Sequence, residues 1–342
     1  MKEYLENNDI CFDDILMVPQ YSEVVSRSSV DLKMLVARSC WLDFPVIASP
    51  MDTVCETEMA SAMAYAGGMG IIHRFMSVKR QLAMVEEASE LGLVAVGAAI
   101  SSTFTEEQVR KLINAGASLL LIDSANGHSK MVIDATKRLK DVVGHSVSIM
   151  SGNVSTVAGY LALSDAGADS IRVGIGGGSM CTTRIVSGHG VPTLSSIINI
   201  RQARDKFSLS AGIVADGGIR NTGDMIKAFA AGADSVMLGS MLAGTDESPG
   251  SIYMNGNKKY KSFRGMASKE ANKTKDIAVA EGVSGMIQHK GPVANIIKDI
   301  KGGLGSGCSY SGVDSLSHLY QESMYIRVSP LTVKESMPHG IQ

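Results

Sequence analysis

The sequence predicts an α/β protein, a (β/α)8 TIM barrel with a flap excursion over the carboxyl-terminal face of its strands. Eight short β-branched or apolar runs recur along the chain, each followed by a glycine or polar turn and then a helix-like segment. That alternation is the pattern of a parallel sheet closed on itself. In AGASLLLIDS, AGADSIRVGI and AGADSVMLGS, Ala-Gly-Ala stands just before the run, so that a glycine ends one helix and turns tightly into the next strand. The length, 342 residues, is one that a barrel fills as a single domain.

In chain order the runs are FPVIAS (44–49), GMGIIH (68–73), LVAVGAAI (93–100), LLLID (119–123), SVSIMSG (146–152), SIRVGI (170–175), GIVADGG (212–218) and SVMLGS (235–240). The second and third are joined by FMSVKRQLAMVEEASELG alone, with no inserted domain, so residues 1–342 read as one barrel. After SMLAGTDESPG the rhythm breaks. Residues 241–290 are rich in lysine and glycine without clean periodicity, and read as a mobile flap over the barrel mouth. VANIIKDIKGGL then returns as a helix, and the tail VSPLTVKESMPHGIQ is irregular, of a kind that packs on a neighbouring subunit.

Composition narrows the function. There are 32 Lys and Arg against 34 Asp and Glu, a balance that argues against a nucleic acid or an anionic membrane surface as partner. Five cysteines without paired spacing fit a reducing compartment, here the cytoplasm, better than a disulfide framework. The acidic start MKEYLENNDICFDD has no apolar signal core, and no run is long enough to span a membrane.

Reactive groups in such a barrel gather where the strands end. Ser49 with Met51, His73, Asp123 with Asn126, Ser151 with Asn153, Asp216 with Gly217 and Gly218, and Gly239 with Ser240 all fall there, although polar turns could place them for structural reasons alone. Three small-residue loops could cradle phosphate through main-chain N–H groups: GGGSM (176–180), DGGIRNTGD (216–224) and LGSM (238–241). The last two follow strands 7 and 8, the usual phosphate position in this fold, and Asp216 could accept from a ribose hydroxyl. A nucleoside monophosphate satisfies all three. GIGGGSM lacks the third glycine of a dinucleotide fingerprint, which leaves that alternative weak.

Cys181, inside VGIGGGSMCTTRIVSGHG, is the candidate nucleophile, since a thiol in a polarising glycine-rich loop can form the reactive thiolate. Thr183 could orient water or ammonia in the same cavity, or merely cap a helix. No second cysteine or histidine has zinc-ligand spacing to Cys181.

Assembled in order, CFDDILMVPQYSEV, ASPMDTV, GGMGIIHRFMS, DSANGHS, SGNVST, RVGIGGGSMCTTRIVSGHGVP, VADGGIRNTGD, VMLGSMLAGTDESPG, FRGMAS, AEGVSG and KESMPHG make the chain resemble the inosine monophosphate dehydrogenase and guanosine monophosphate (GMP) reductase family over nearly its whole length. The resemblance implies a β/α barrel, a homotetramer, and attack of Cys181 on purine C2. It implies that Ser179, Asp216, Gly217, Gly218, Gly239 and Ser240 hold the ribose phosphate. Ser49, Met51, Gly265, Met266, Ala267, Glu281 and Gly282 would then surround the base. Asp123, Ser124, Ala125, Asn153, Arg172 and Gly174 would lie on the nicotinamide side, toward NADPH or NAD. The carbonyls of Gly176, Gly178 and Cys181 match a site for a monovalent cation, K+.

Within that family the flap separates two activities. Dehydrogenases carry an Arg-Tyr pair there that activates water, whereas KEANKTKDIAVA (269–280) has neither residue. Thr183 and Glu281 match the residues that relay protons to the departing amine in a reductase. The favoured expectation is a GMP reductase, with Cys181, Thr183 and Glu281 as catalytic residues. Arg172, IVSGHGVP and KESMPHG look more like bacterial inosine monophosphate (IMP) dehydrogenases, which is the alternative, and Ala278 replaces the basic residue usual before the glutamate in a reductase. A non-catalytic nucleotide-binding paralogue is the third reading, and retention of all three catalytic residues weighs against it.

Overall fold

The computed structural model describes residues 9–38, 40–90, 95–271 and 279–338. Eight parallel strands close into a barrel: β1 (Val46–Ala48), β2 (Met69–Ile72), β3 (Val96–Ile100), β4 (Leu119–Asp123), β5 (Ser148–Val154), β6 (Ser170–Val173), β7 (Gly212–Asp216) and β8 (Ser235–Leu238). Each lies inside one of the eight runs read from the sequence, apart from β5, which extends two residues further. β8 pairs back on β1 through Val236–Val46, Met237–Ile47 and Leu238–Ala48, which leaves the barrel no free edge.

Burial explains why the strands read as continuous apolar runs. Both faces are covered, one by helices and the other by the barrel interior. Ile47, Met69, Ile71, Leu119, Leu121, Met150, Val214 and Met237 form an inner cluster, and Val36, Ala37 and Leu42 join it from outside the barrel sequence. These three belong to a hairpin, Met34–Ala37 with Cys40–Leu42, that plugs the amino-terminal end. Gly212 is required by this plug, because a Cβ there would stand 2.3 Å from the Val36 carbonyl oxygen.

The Ala-Gly-Ala turns work as expected. Gly116, Gly167 and Gly232 have φ of +102°, +93° and +104°, each just after a helix, and their positive φ lets the chain double back into β4, β6 and β8. The same helices begin at Thr105, Thr156 and Asn221, whose side chains accept the N–H of Gln108, Gly159 and Asp224.

The excursion after β8 is more regular than its sequence. Tyr253–Asn255, Lys258–Arg264 and Ser284–Gln288 form a three-stranded antiparallel sheet before the helix Val293–Tyr310 returns to the body. The tail, expected to be irregular, contains a helical turn at Thr332–Glu335. Among the described residues no helix is long and apolar enough to cross a membrane.

Candidate active site

A cavity of about 370 Å³ opens where the strands end. One wall is the loop from β6. Gly174, at φ +139°, lets this loop lie against the end of β7, where a Cβ would fall 1.9 Å from the Asp216 carbonyl oxygen. Arg184 straps the loop closed by donating to the Val191 carbonyl at 3.0 Å, next to a bridge between Ile175 and Val191.

The loop presents Cys181 toward residues far away in sequence. Thr182 N–H donates to the Glu281 carbonyl at 2.9 Å, Val283 N–H donates to that of Met180 at 3.0 Å, and Cys181 forms a bridge with Gly282. These main-chain bonds carry the side chains into line. Cys181 Sγ donates to Thr183 Oγ1 at 3.2 Å, and Thr183 Oγ1 donates to Glu281 Oε2 at 2.8 Å. The thiol is thereby connected to a carboxylate by one hydroxyl, an arrangement able to move a proton between them.

The phosphate candidates converge from three loops. Ser179, Gly217, Gly218, Gly239 and Ser240 all line the cavity. Gly217 and Gly218, at φ +91° and +84°, press the β7 loop against the β6 loop, since a Cβ on Gly217 would be 3.1 Å from the Gly178 nitrogen. The N–H groups of Ser179, Gly218 and Ser240 have no main-chain acceptor among the described residues. Donors left open at a cavity wall suit an anion. Behind them the amino-terminal segment is pinned: Ile10 N–H donates to Ser195 Oγ at 2.7 Å, Lys227 Nζ to the Phe12 carbonyl at 2.8 Å, and Arg220 Nη1 to Asp13 at 2.9 Å. The hydrogen bond from Arg220 holds the Asp13 carboxyl below its ordinary pKa.

β4 lies across the barrel from β8, so Asp123, Ser124 and Ala125 face the Gly239–Ser240 loop from the far side of the mouth. Arg172 joins the two sides. Its guanidinium donates to Asp123 Oδ1 and to Asp216 Oδ2, each at 2.7 Å, and Asn153 Nδ2 also donates to Asp216 Oδ2 at 2.8 Å. Burial would lower the guanidinium pKa, but the two carboxylates outweigh it and raise it. The resemblance implies that Arg172 lies on the nicotinamide side. In the structure it lines the cavity while its Nε, Nη1 and Nη2 donate to the two carboxylates.

Of the substrate and cofactor residues expected from the sequence, all except Gly282 line this one cavity, together with the Gly176 and Gly178 carbonyl turn. Gly282 stands behind it as the bridge partner of Cys181. Ser49, Met51, Gly265, Met266 and Ala267 meet at the mouth, where Asp52 N–H donates to Met266 Sδ at 3.4 Å and Arg264 pairs with Asp52 at 2.6 Å.

Three barrel-end residues do not belong. His73 is buried, with Nε2 3.1 Å from Glu56 and Nδ1 accepting from Phe75 N–H, which makes it a satisfied core histidine. Ser151 is buried against Thr136 at 2.9 Å, and Asn126 accepts from His128 N–H in a surface turn. Conversely, Arg74 and Phe75 line the cavity, with Arg74 donating to Asp123 at 3.1 Å. Their position immediately after the β2 run was the available signal. Flap residues Lys273, Lys275 and Ala278 lie outside the described residues, and no group of three or more His, Cys, Asp or Glu able to hold a metal occurs among those described.

The family model for the IMP dehydrogenase / GMP reductase domain matches residues 9–339. The chain is 35% identical over 405 aligned positions to an inosine-5'-monophosphate dehydrogenase of Borreliella burgdorferi, covering 100% of this chain and 99% of that protein. It is 32% identical over 478 aligned positions to a GMP reductase of Leishmania major, covering 97% of each. A crystal structure of a Cys→Ala variant of GMP reductase from Trypanosoma brucei, in complex with guanosine 5'-monophosphate, superposes with a TM-score of 0.90 at 30% identity, covering 98% of both chains. With the motifs, the closed barrel and matches over nearly the full length in agreement, the chain belongs to the IMP dehydrogenase and GMP reductase family.

Proposed function

We propose that the protein is a GMP reductase, converting GMP to IMP and ammonia at the expense of NADPH. The observation that carries this reading is the unbroken line from Cys181 Sγ through Thr183 Oγ1 to Glu281 Oε2. As the thiol adds to purine C2, its proton passes through Thr183 to Glu281. The same carboxylic acid then protonates the exocyclic amine, which leaves as ammonia, and the purine remains bonded to Cys181 through C2. When bound, a reduced nicotinamide dinucleotide supplies the hydride that C2 receives. Collapse of the resulting centre breaks the carbon–sulfur bond, releasing the Cys181 thiolate and IMP.

The remaining residues position this chemistry. Ser179, Gly217, Gly218, Gly239 and Ser240 hold the phosphate, Asp216 the ribose, and Ser49, Met51, Gly265, Met266 and Ala267 the base, with Gly282 behind them as the bridge partner of Cys181. Asp123, Ser124, Ala125, Asn153 and Gly174 form the dinucleotide side, with Arg172 tying Asp123 to Asp216. A polar wall across the barrel from the phosphate loops, with the Phe75 ring beside it, fits a nicotinamide nucleotide. The carbonyls of Gly176, Gly178 and Cys181 are neutral oxygen donors in one turn, the type a hard cation such as K+ takes. The same reading takes the chain as one barrel with 241–290 as its flap, and as a homotetramer that covers the exposed Tyr325, Ile326 and Leu331.

IMP dehydrogenase is the second reading, favoured by the 35% identity to the Borreliella burgdorferi enzyme. Against it stands the absence of arginine and tyrosine from 269–280. Cys181→Ala tests the covalent step: the variant should bind GMP with unchanged affinity and lose turnover by several orders of magnitude. Retained turnover would refute the mechanism.

A further inference from the structure

The proposed phosphate cradle is made of neutral donors, yet it has to receive a dianion. Arg220 and Lys290 are cations beside it. Arg220 lines the cavity, but its charge is met by Asp13 at 2.5 Å and Asp224 at 3.1 Å. Lys290 is different. Its Nζ donates to the carbonyls of Ser240 at 2.5 Å and Met241 at 3.1 Å, and among the described residues it meets no carboxylate. The residue as a whole is exposed, but desolvation of its ammonium against these carbonyls pushes its pKa down to about 8. Lys261, from the same flap sheet, also donates to carbonyls of this segment, at Thr245, Asp246 and Ser248, and burial lowers its pKa too, but there Asp246, Glu58 and Glu247 supply opposing negative charge.

The position of Lys290 is built into the fold. Its own N–H donates to the Gly244 carbonyl at 2.8 Å, and Asp246 N–H donates to that of Gly291 at 3.0 Å, so the chain beyond the flap sheet is zipped along the segment that follows β8. That segment begins with a tight turn, in which Leu242 and Ala243 N–H donate to the Gly239 carbonyl. The N–H groups of Ser240 and Met241 find no acceptor among the described residues, while the carbonyls of both residues point at Lys290. The Ser240 carbonyl shares a peptide unit with the Met241 N–H. A cation on the oxygen of that unit withdraws electrons from its N–H and strengthens it as a donor.

We propose that Lys290 is the positive charge that secures the substrate phosphate, acting through the Gly239–Met241 turn without touching the ligand. It is a positioning residue, and the proposal rests on the nucleotide reading above. Binding would place a phosphate dianion on one side of the turn and the ammonium on the other, so a charge that meets no carboxylate among the described residues would acquire its counter-charge with substrate bound. Lys290→Met keeps the apolar stem and removes the charge, and Lys290→Arg restores it.

The test is calorimetric titration of the full-length protein and both variants with GMP and with guanosine, together with KM and kcat for GMP. Lys290→Met should weaken GMP binding about tenfold, the value expected for loss of one charge-assisted contribution. Its guanosine affinity should be unchanged, KM should rise without an equal fall in kcat, and Lys290→Arg should recover most of the loss. Unaltered GMP affinity in Lys290→Met would overturn the proposal. So would equal loss of GMP and guanosine, which would make the lysine a structural clamp alone. If the unmodified protein binds GMP and IMP no better than guanosine, the nucleotide reading falls and this inference with it. If GMP binds and is turned over while Lys290→Met is neutral, only the inference falls.

Discussion

Thr183 and Glu281 form one path, and a path fails at any link. Thr183→Val replaces the hydroxyl with a methyl of similar size. Glu281→Gln keeps the main-chain bonds to Thr182 and Ala267 but leaves an amide that cannot carry the proton. Each change interrupts the same 3.2 and 2.8 Å line from Cys181, so each should lower kcat for GMP by about 10²–10⁴, the range for a positioned acid–base group, or roughly 3–5 kcal/mol in barrier height. The double variant should be hardly slower than either single one, because the second change removes a link already out of use. The assay is the initial rate of nicotinamide oxidation at saturating GMP and NADPH for the four proteins, with GMP affinity measured separately to show that binding survives. Multiplicative losses, or a Glu281→Gln variant retaining a tenth or more of the activity, would refute the relay.

Three further outcomes follow from other parts of the structure. In Gly239→Val the new Cβ would lie 3.1 Å from Met51 Sδ, and the bulk beyond it would displace Met51 and crowd the Gly239–Met241 turn. KM for GMP should rise at least about tenfold, and an unchanged KM would remove the turn from the substrate site. Tyr160→Phe deletes a fully buried hydroxyl that donates to the Ala211 carbonyl at 2.6 Å, so denaturant unfolding should show a loss of about 1–2 kcal/mol, and no loss would contradict that account. Because the Arg220 hydrogen bond depresses the Asp13 pKa, that pair stabilises the fold at pH above the ordinary carboxylate value, about 4, and ceases to do so as pH falls through the lower folded value. The difference in Tm between the unmodified protein and Asp13→Asn should therefore be present at neutral pH and vanish in acid, whereas a constant difference would mean that the charge is not its cause.

The barrel was legible because its strands are buried on both faces, so each reads as a short apolar run without regard to periodicity, and because Gly116, Gly167 and Gly232 mark three of the returns. The flap sheet was not legible, for a physical reason: Tyr253–Asn255 and most of Ser284–Gln288 are exposed, and an exposed strand imposes no alternation on its sequence. The hairpin plug escaped notice since its apolar residues complete a core made elsewhere. At the site, loop residues such as Cys181, Gly218 and Ser240 carried their own signal through glycine content and position. His73 carried a misleading one, because a strand end looks alike whether the next side chain enters the mouth or, as here, turns back to Glu56. Lys290 had none, since its role depends on which carbonyls a residue fifty positions away presents to it.

One spectrophotometric comparison tests the proposed direction of the chemistry at purine C2. The unmodified protein is given GMP with NADPH in one cuvette and IMP with NAD in another, with absorbance followed at the reduced-nicotinamide band and ammonia measured at the end. A GMP reductase should show loss of absorbance with GMP, one ammonia released per nicotinamide oxidised, and little or no gain with IMP. Robust NAD reduction with IMP and no NADPH consumption with GMP would contradict it.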